Sequence, residues 1–214
     1  MKACIFDLDG VLVDTAKYHF IAWKKLANSL GFSFTEIQNE ELKGISRVDS
    51  LNKLLGWGNI EKSDTEKLEL ATLKNDWYID MIAEMTPEEL LPGSKELLSE
   101  LKENGIKIAL GSASKNAPLI LEKTGISPYF DAIVDGNSVS KSKPDPEVFL
   151  LAAKLVEADP QECIVFEDAQ AGVEAGKRAG MKVIGIGKAE DLRQADFTVG
   201  SLAAVNLALL QTKN

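Results

Sequence analysis

The chain has 214 residues, 45% hydrophobic and 27% charged, enough apolar material for one medium domain or a core carrying a smaller insertion. Its formal net charge of −9 argues against an extended nucleic-acid or anionic-membrane surface, since both reward a basic face. No apolar run reaches the roughly 20 residues of a membrane span, and the N-terminus shows no cleavable leader, so a cytoplasmic chain is expected.

The first element is the apolar run 3–7 (ACIFD), which reads as a buried strand. From about residue 15 to 86 the pattern turns helical, with three tryptophans and no convincing buried strand. Such a block after the first strand reads as an inserted helical domain, 15–86, on a core of 1–14 and 87–214. Within it Thr15, His19 and Trp23 are spaced i, i+4, i+8 and share one helix face; His19 is the only histidine. Ser46-Arg47-Val48-Asp49 has the form of a capping box, which puts Arg47 in a first turn with Lys43 just upstream. That arrangement suits an anion held jointly by a helix N-terminus, Arg47 and Lys43. Lys74, in KNDWY, is a further basic candidate.

Beyond the insertion, 94–104 places Leu97, Leu98 and Leu101 on one helix face and stops at Gly105. A second strand, 106–111, leads to Ser112 and a helix expected to start near Ser114, with Pro118 in its first turn. Segment 146–157 is a helix capped by Asp145, with Pro146 at its first position. Strands 163–167 and 182–186 flank a helix, 170–180, whose small face (Gly172, Ala175, Gly176, Ala179) permits close packing on a sheet. This alternation implies a doubly wound parallel sheet, a Rossmann-like α/β core with an inserted helical cap domain. Cys4 and Cys163 lie in predicted strands and read as unpaired core thiols, with pairing between neighbouring strands left open.

In parallel α/β sheets ligands bind beyond the carboxyl ends of the strands. The polar segments there are DLDGVLVDT (7–15), GSASKN (111–116), SKPDP (142–146) and FEDAQAG (166–172). Asp7 and Asp9 alternate with Leu8 and face the same way, so their like charges need a cation, a shared proton, or both. Glu167 and Asp168 add hard oxygen ligands of the kind magnesium prefers. Ser112, with nearby backbone amides, suits an anion. Lys143, extended by Pro144, points toward the acids. Singly each has a bland reading: a solvated turn, a helix cap, a structural histidine, a surface arginine. Their convergence favours a site.

The four segments, in this order, resemble the four motifs of the haloacid dehalogenase superfamily, in its subgroup with a helical cap after the first strand. The cap stretches LKGISR and YHFIAW resemble its β-phosphoglucomutase branch, and the likeness spans essentially the whole chain. The resemblance implies an aspartyl-phosphate enzyme that interconverts β-D-glucose 1-phosphate and D-glucose 6-phosphate through a bound 1,6-bisphosphate. The rival is a magnesium-dependent sugar-phosphate phosphatase on the same scaffold. It further implies Asp7 as nucleophile, Asp9 as acid/base, and Mg2+ held by Asp7, the Asp9 carbonyl, Glu167 and Asp168. Ser112, Ala113 and Lys143 would bind the transferring phosphoryl group. Arg47 with Lys43, Gly44, Ile45 and Ser46 would grip the other phosphate. Trp23, Lys74, Ser114, Lys115 and Asn116 would line the cleft, with Thr15 and His19 at the cap hinge. A monomer acting on small sugar phosphates is expected, with no nucleic-acid or membrane partner. Segment 135–143 aligns least securely with this pattern.

Overall fold

Among the described residues, six strands pair as one parallel sheet: β1 (Ala3–Phe6), β2 (Lys107–Gly111), β3 (Ala132–Val134), β4 (Cys163–Glu167), β5 (Lys182–Ile186) and β6 (Phe197–Val199). Their order is β3-β2-β1-β4-β5-β6. The structure, a computed structural model, describes residues 1–43 and 45–212. Four strands fall where the apolar runs place them, β1 ending and β2 starting one residue inside the expected bounds. β3 and β6 are edge strands of three residues each, too short to show a pattern.

Alternation along each strand builds two cores. Cys4, Phe6, Ile108, Leu110, Ile164 and Phe166 face one side, while Ala3, Ile5, Ala109, Cys163 and Val165 face the other. The Phe6 and Phe166 rings stack with centroids 4.6 Å apart, worth about 0.5–1.5 kcal/mol beyond area burial. Ala3, not Cys4, is the register partner of Cys163, so the two free thiols lie on opposite faces of the sheet and cannot bridge. The chain winds from β1 to β3 in one direction and from β4 to β6 in the other. Ends of the neighbouring strands β1 and β4 therefore meet at the switch point where such sheets open a crevice.

Four helices follow β1: α1 (Ala16–Ser29), α2 (Glu36–Glu40), α3 (Arg47–Trp57) and α4 (Asp64–Ile82). Ser63 and Glu66 close a reciprocal capping box on α4. These helices share a cluster of their own, with Trp23, Leu26, Phe34, Leu51, Leu54 and Ala71 buried in it. Ala22, Tyr78, Ile82 and Met85 join the sheet's cluster instead, so the base of the helical segment is packed onto the core. Its two connections run side by side: Val13 bridges Leu90 antiparallel, and Leu91 N donates to Leu12 O at 2.9 Å.

The other helices are α5 (Ser94–Glu103), α6 (Ala117–Lys123), α7 (Glu147–Leu155), α8 (Gln170–Arg178) and α9 (Leu207–Thr212). Two expectations about their starts, and one about the cap of α3, need correction. α6 begins at Ala117 rather than near Ser114, because the Ser112 and Ser114 hydroxyls accept from the amides of Ser114 (3.1 Å) and Asn116 (3.3 Å) and hold the chain in turns. Pro146, not Asp145, holds the N-cap position of α7, although the Asp145 carboxylate still accepts from Glu147 N at 3.1 Å. At α3 only half of the capping box forms. Ser46 Oγ accepts from Asp49 N at 3.2 Å, and the short Asp49 side chain takes the hydroxyl proton of Ser46 at 2.6 Å.

Candidate active site

A cleft of about 780 Å³ lies between the sheet's carboxyl edge and the face of α1, α3 and α4. Its floor is an acid–lysine network. Lys143 Nζ donates to Asp7 Oδ1 and to Glu167 Oε1, each at 2.6 Å, with all three side chains buried. Burial alone would lower the Lys143 ammonium, but the charges of Asp7 and Glu167 outweigh it and hold it above the ordinary lysine range. Burial pushes the Glu167 carboxyl up, against the pull of Lys143. Removing either acid or the lysine alone leaves a buried charge uncompensated.

Oxygens of Asp7, Glu167 and Asp168 lie within 4.8 Å of one another. Burial, then the charges of Glu167 and Asp7, push Asp168 well above the usual carboxylate range. Three crowded carboxylates form a hard-oxygen donor set that a divalent cation fits. Two glycines make the crowding feasible. A Cβ on Gly172 of α8 would overlap the Glu167 carboxylate, and one on Gly10, which has φ +77°, would overlap that of Asp168.

Asp9 stands apart from that trio. Thr15 holds the N-cap position of α1, yet its hydroxyl donates to Asp9 Oδ1 rather than capping the helix. The Asp14 carboxylate serves the helix instead, accepting from Ala16 N at 3.1 Å. Burial and the nearby Asp7 charge push Asp9 up to about 8, into the range where a carboxyl can exchange a proton near neutral pH.

The opposite wall is basic. Lys74 is 1% exposed, its Nζ 2.8 Å from His19 Nδ1 and 4.4 Å from the centre of the Trp23 ring. Burial, then the charge of Arg47, lowers Lys74 to about 7. Burial, then the Lys74 charge, pushes the His19 imidazole well below the usual histidine range. The Tyr78 ring stacks on that of His19, centroids 4.1 Å apart, with Lys74 Nζ 4.7 Å from its centre. Arg47 is half-buried in the first turn of α3 and lines the cleft with Ile45 and Ser46. Lys43 does not stand free beside it: its ammonium is 2.8 Å from Glu40 and leans to 3.9 Å from Asp168.

The fold thus brings Asp7, Asp9, Asp168, Lys143 and the Ser112–Asn116 loop to the core side of one cleft, and His19, Trp23, Lys43, Arg47 and Lys74 to the other. Ser112, Ala113, Ser114 and Lys115 all line the core wall. Thr15 and Glu167 are fully buried just behind it. Gly44 lies outside the described residues. Sequence reasoning missed Asn75, whose Oδ1 accepts from Asn116 Nδ2 at 2.9 Å across the cleft. Leu68, Thr72 and Asn75 share an i, i+4, i+7 face of α4 that lines the cleft, and that spacing was the signal available.

A buried acid–lysine network facing a basic wall is the equipment of phosphoryl transfer: a carboxylate nucleophile with cations to take up charge. Residues 1–180 match the haloacid dehalogenase-like hydrolase family, and the chain belongs to that family. It is 47% identical over 212 residues to a β-phosphoglucomutase of Bacillus subtilis, covering 98% of this chain and 94% of that protein. It is 32% identical over 209 residues to a phosphorylated carbohydrates phosphatase of Thermotoga maritima, covering 96% and 94%. The crystal structure of a β-phosphoglucomutase from Clostridium difficile superposes with a TM-score of 0.96 at 45% identity, covering all of this chain and 96% of that one.

Proposed function

We propose that this chain interconverts β-D-glucose 1-phosphate and D-glucose 6-phosphate, with Asp7 carrying the phosphoryl group between turnovers. The observation that carries the reading is the pair of opposed cationic loci: Lys143 beside Asp7 in the floor, and Arg47 with Lys74 on the far wall. A bisphosphate intermediate needs both, whereas a phosphatase needs only the first. The B. subtilis and C. difficile relatives support the same reading.

Phosphorylated Asp7 first gives its phosphoryl group to the 6-hydroxyl of β-D-glucose 1-phosphate while Asp9 takes that hydroxyl's proton, which forms the bound 1,6-bisphosphate and frees the Asp7 carboxylate. In the second half Asp7 Oδ attacks the phosphorus at C1, the bond from phosphorus to O1 breaks and the Asp9 proton passes to O1, leaving glucose 6-phosphate and phosphorylated Asp7. Thr15 orients the Asp9 carboxyl, and Lys143 with Ser112 and Ala113 neutralises and steadies the equatorial oxygens. Arg47, Ser46 and Ile45 grip the distal phosphate, while Trp23, His19, Lys74, Ser114, Lys115 and Asn116 surround the sugar. Asp7, Glu167, Asp168 and the Asp9 carbonyl would hold Mg2+, which would supply further charge neutralisation at the transferring group. Residues 15–86 act as the cap, and residues 1–14 with 87–214 as the core. Every group used comes from one chain, which suits a monomer, and the two free thiols suit a cytoplasmic setting.

Product analysis tests the reading. β-D-glucose 1-phosphate with Mg2+ and a trace of glucose 1,6-bisphosphate should yield glucose 6-phosphate. Release of free phosphate and glucose as the main products would replace the mutase with a sugar-phosphate phosphatase.

A further inference from the structure

The Ser112–Asn116 loop supplies much of the core wall, and five residues of loop need something behind them to hold a fixed shape. That support is the segment 135–138. Ser112 N donates to Val134 O at 2.9 Å, Gly136 N to Ser114 O at 3.2 Å, and Asn137 Nδ2 to Lys115 O at 3.2 Å. Gly136 lies so close that a Cβ there would overlap the Ala113 carbonyl and come within 3.0 Å of Lys115 Cγ.

The segment is itself organised by a buried acid. Asp135 is 7% exposed, and its carboxylate accepts from Asn137 N at 2.9 Å, Asn137 Nδ2 at 3.0 Å and Ser138 Oγ at 2.9 Å. One hydrogen of the Asn137 amide thus goes to Asp135, and the other is aimed at the Lys115 carbonyl. Neither Asp135 nor Asn137 lines the cleft.

We propose that Asn137, oriented by Asp135, is a positioning residue that fixes the sugar-facing end of the Ser112–Asn116 loop by holding the Lys115 carbonyl. The inference rests on the mutase reading of the cleft. The tether acts at Lys115, next to Asn116 and three residues from Ser112. It therefore governs how the loop meets the sugar more than how Ser112 and Lys143 meet the phosphoryl group.

Asn137→Ala should raise KM for β-D-glucose 1-phosphate by about fivefold, the loss of one to two ordinary hydrogen bonds. Phosphorylation of Asp7 by acetyl phosphate, which carries no sugar, should stay within about twofold of wild type. The exchange Asp135→Asn/Asn137→Asp separates positioning from folding. It restores an amide–carboxylate pair between the two positions, and with it the melting temperature, but leaves no donor for Lys115 O, so KM should stay raised. Recovery of KM together with the melting temperature, or equal losses in both assays for Asn137→Ala, would overturn the proposal; so would an unchanged KM. If the wild-type protein only releases phosphate, the mutase reading fails separately. The same KM contrast is then expected for phosphate release from the sugar phosphate.

Discussion

Asn116 of the core loop donates to Asn75 of α4 at 2.9 Å, so a polar side chain from each wall meets its counterpart across the cleft. The contact ties the walls together on the α4 side, and on the proposed reading it orients the Asn116 amide toward the sugar. Asn75→Ala should lower mutase kcat/KM about three- to tenfold, in line with one neutral hydrogen bond. If the contact is the cause, Asn75→Ala added to Asn116→Ala should cost little more than Asn116→Ala alone. Additive losses would assign the two residues separate roles.

On the proposed reading Arg47 grips the second phosphate. A charge-assisted arginine–phosphate contact is worth about 1.5–3 kcal/mol, so Arg47→Ala should depress mutase kcat/KM by at least about tenfold. Acetyl phosphate has no distal phosphate, and its reaction with Asp7 should change far less. Parallel kinetics with the two donors make the comparison, and equal losses would mean that Arg47 supports the fold.

Lys74 gives a pH signature in stability. Its folded pKa of about 7 lies below the ordinary 10.5, so between those values the unfolded chain binds a proton that the folded chain lacks. Stability from this group therefore rises with pH across that window and is lowest below about 7. Lys74→Met should stabilise the protein, by about 2–3 kcal/mol more near pH 6 than near pH 9, while lowering mutase activity. Denaturant titrations at the two pH values measure the difference. A constant difference would show that Lys74 stays charged throughout.

Gly172→Ala probes the packing behind the acids. The new methyl group would meet the Glu167 carboxylate, which is 0% exposed and has nowhere to retreat. Overpacking of this kind costs about 1–3 kcal/mol and should appear as a lowered melting temperature. Mg2+ affinity, measured by calorimetry, should fall with it because Glu167 is displaced. Unchanged Mg2+ binding would remove Glu167 from the ligand set.

Much of this was legible in the sequence because β1, β2, β4 and β5 are buried on both faces and read as plain apolar runs. The acids and basic residues followed from their places at strand and helix ends. β3 and β6 stayed hidden, since three residues at a sheet edge leave no period to detect. The start of α6 was misjudged because Ser112 and Ser114 can cap a helix or fold back on their own loop, and only tertiary packing decides between these. The face spacing of Leu68, Thr72 and Asn75 could mark Asn75, but not its contact with Asn116, 41 positions away. Asp135 and Asn137 sit in 135–143, where the resemblance is least secure, and the Asn137 contact runs to a backbone carbonyl that no residue type announces.

The side-by-side crossing at Val13 and Leu90 has a consequence for how such a protein can change. Because the two ends of the helical segment already meet, closing the core without it, or around a different segment, costs little chain entropy. Arg47, Lys74 and Asn75 travel with that segment, whereas Asp7, Asp9, Lys143 and Glu167 remain behind. Recombination at these two seams could therefore swap the ligand a cleft accepts in a single event, leaving the reactive carboxylate and its lysine as common machinery.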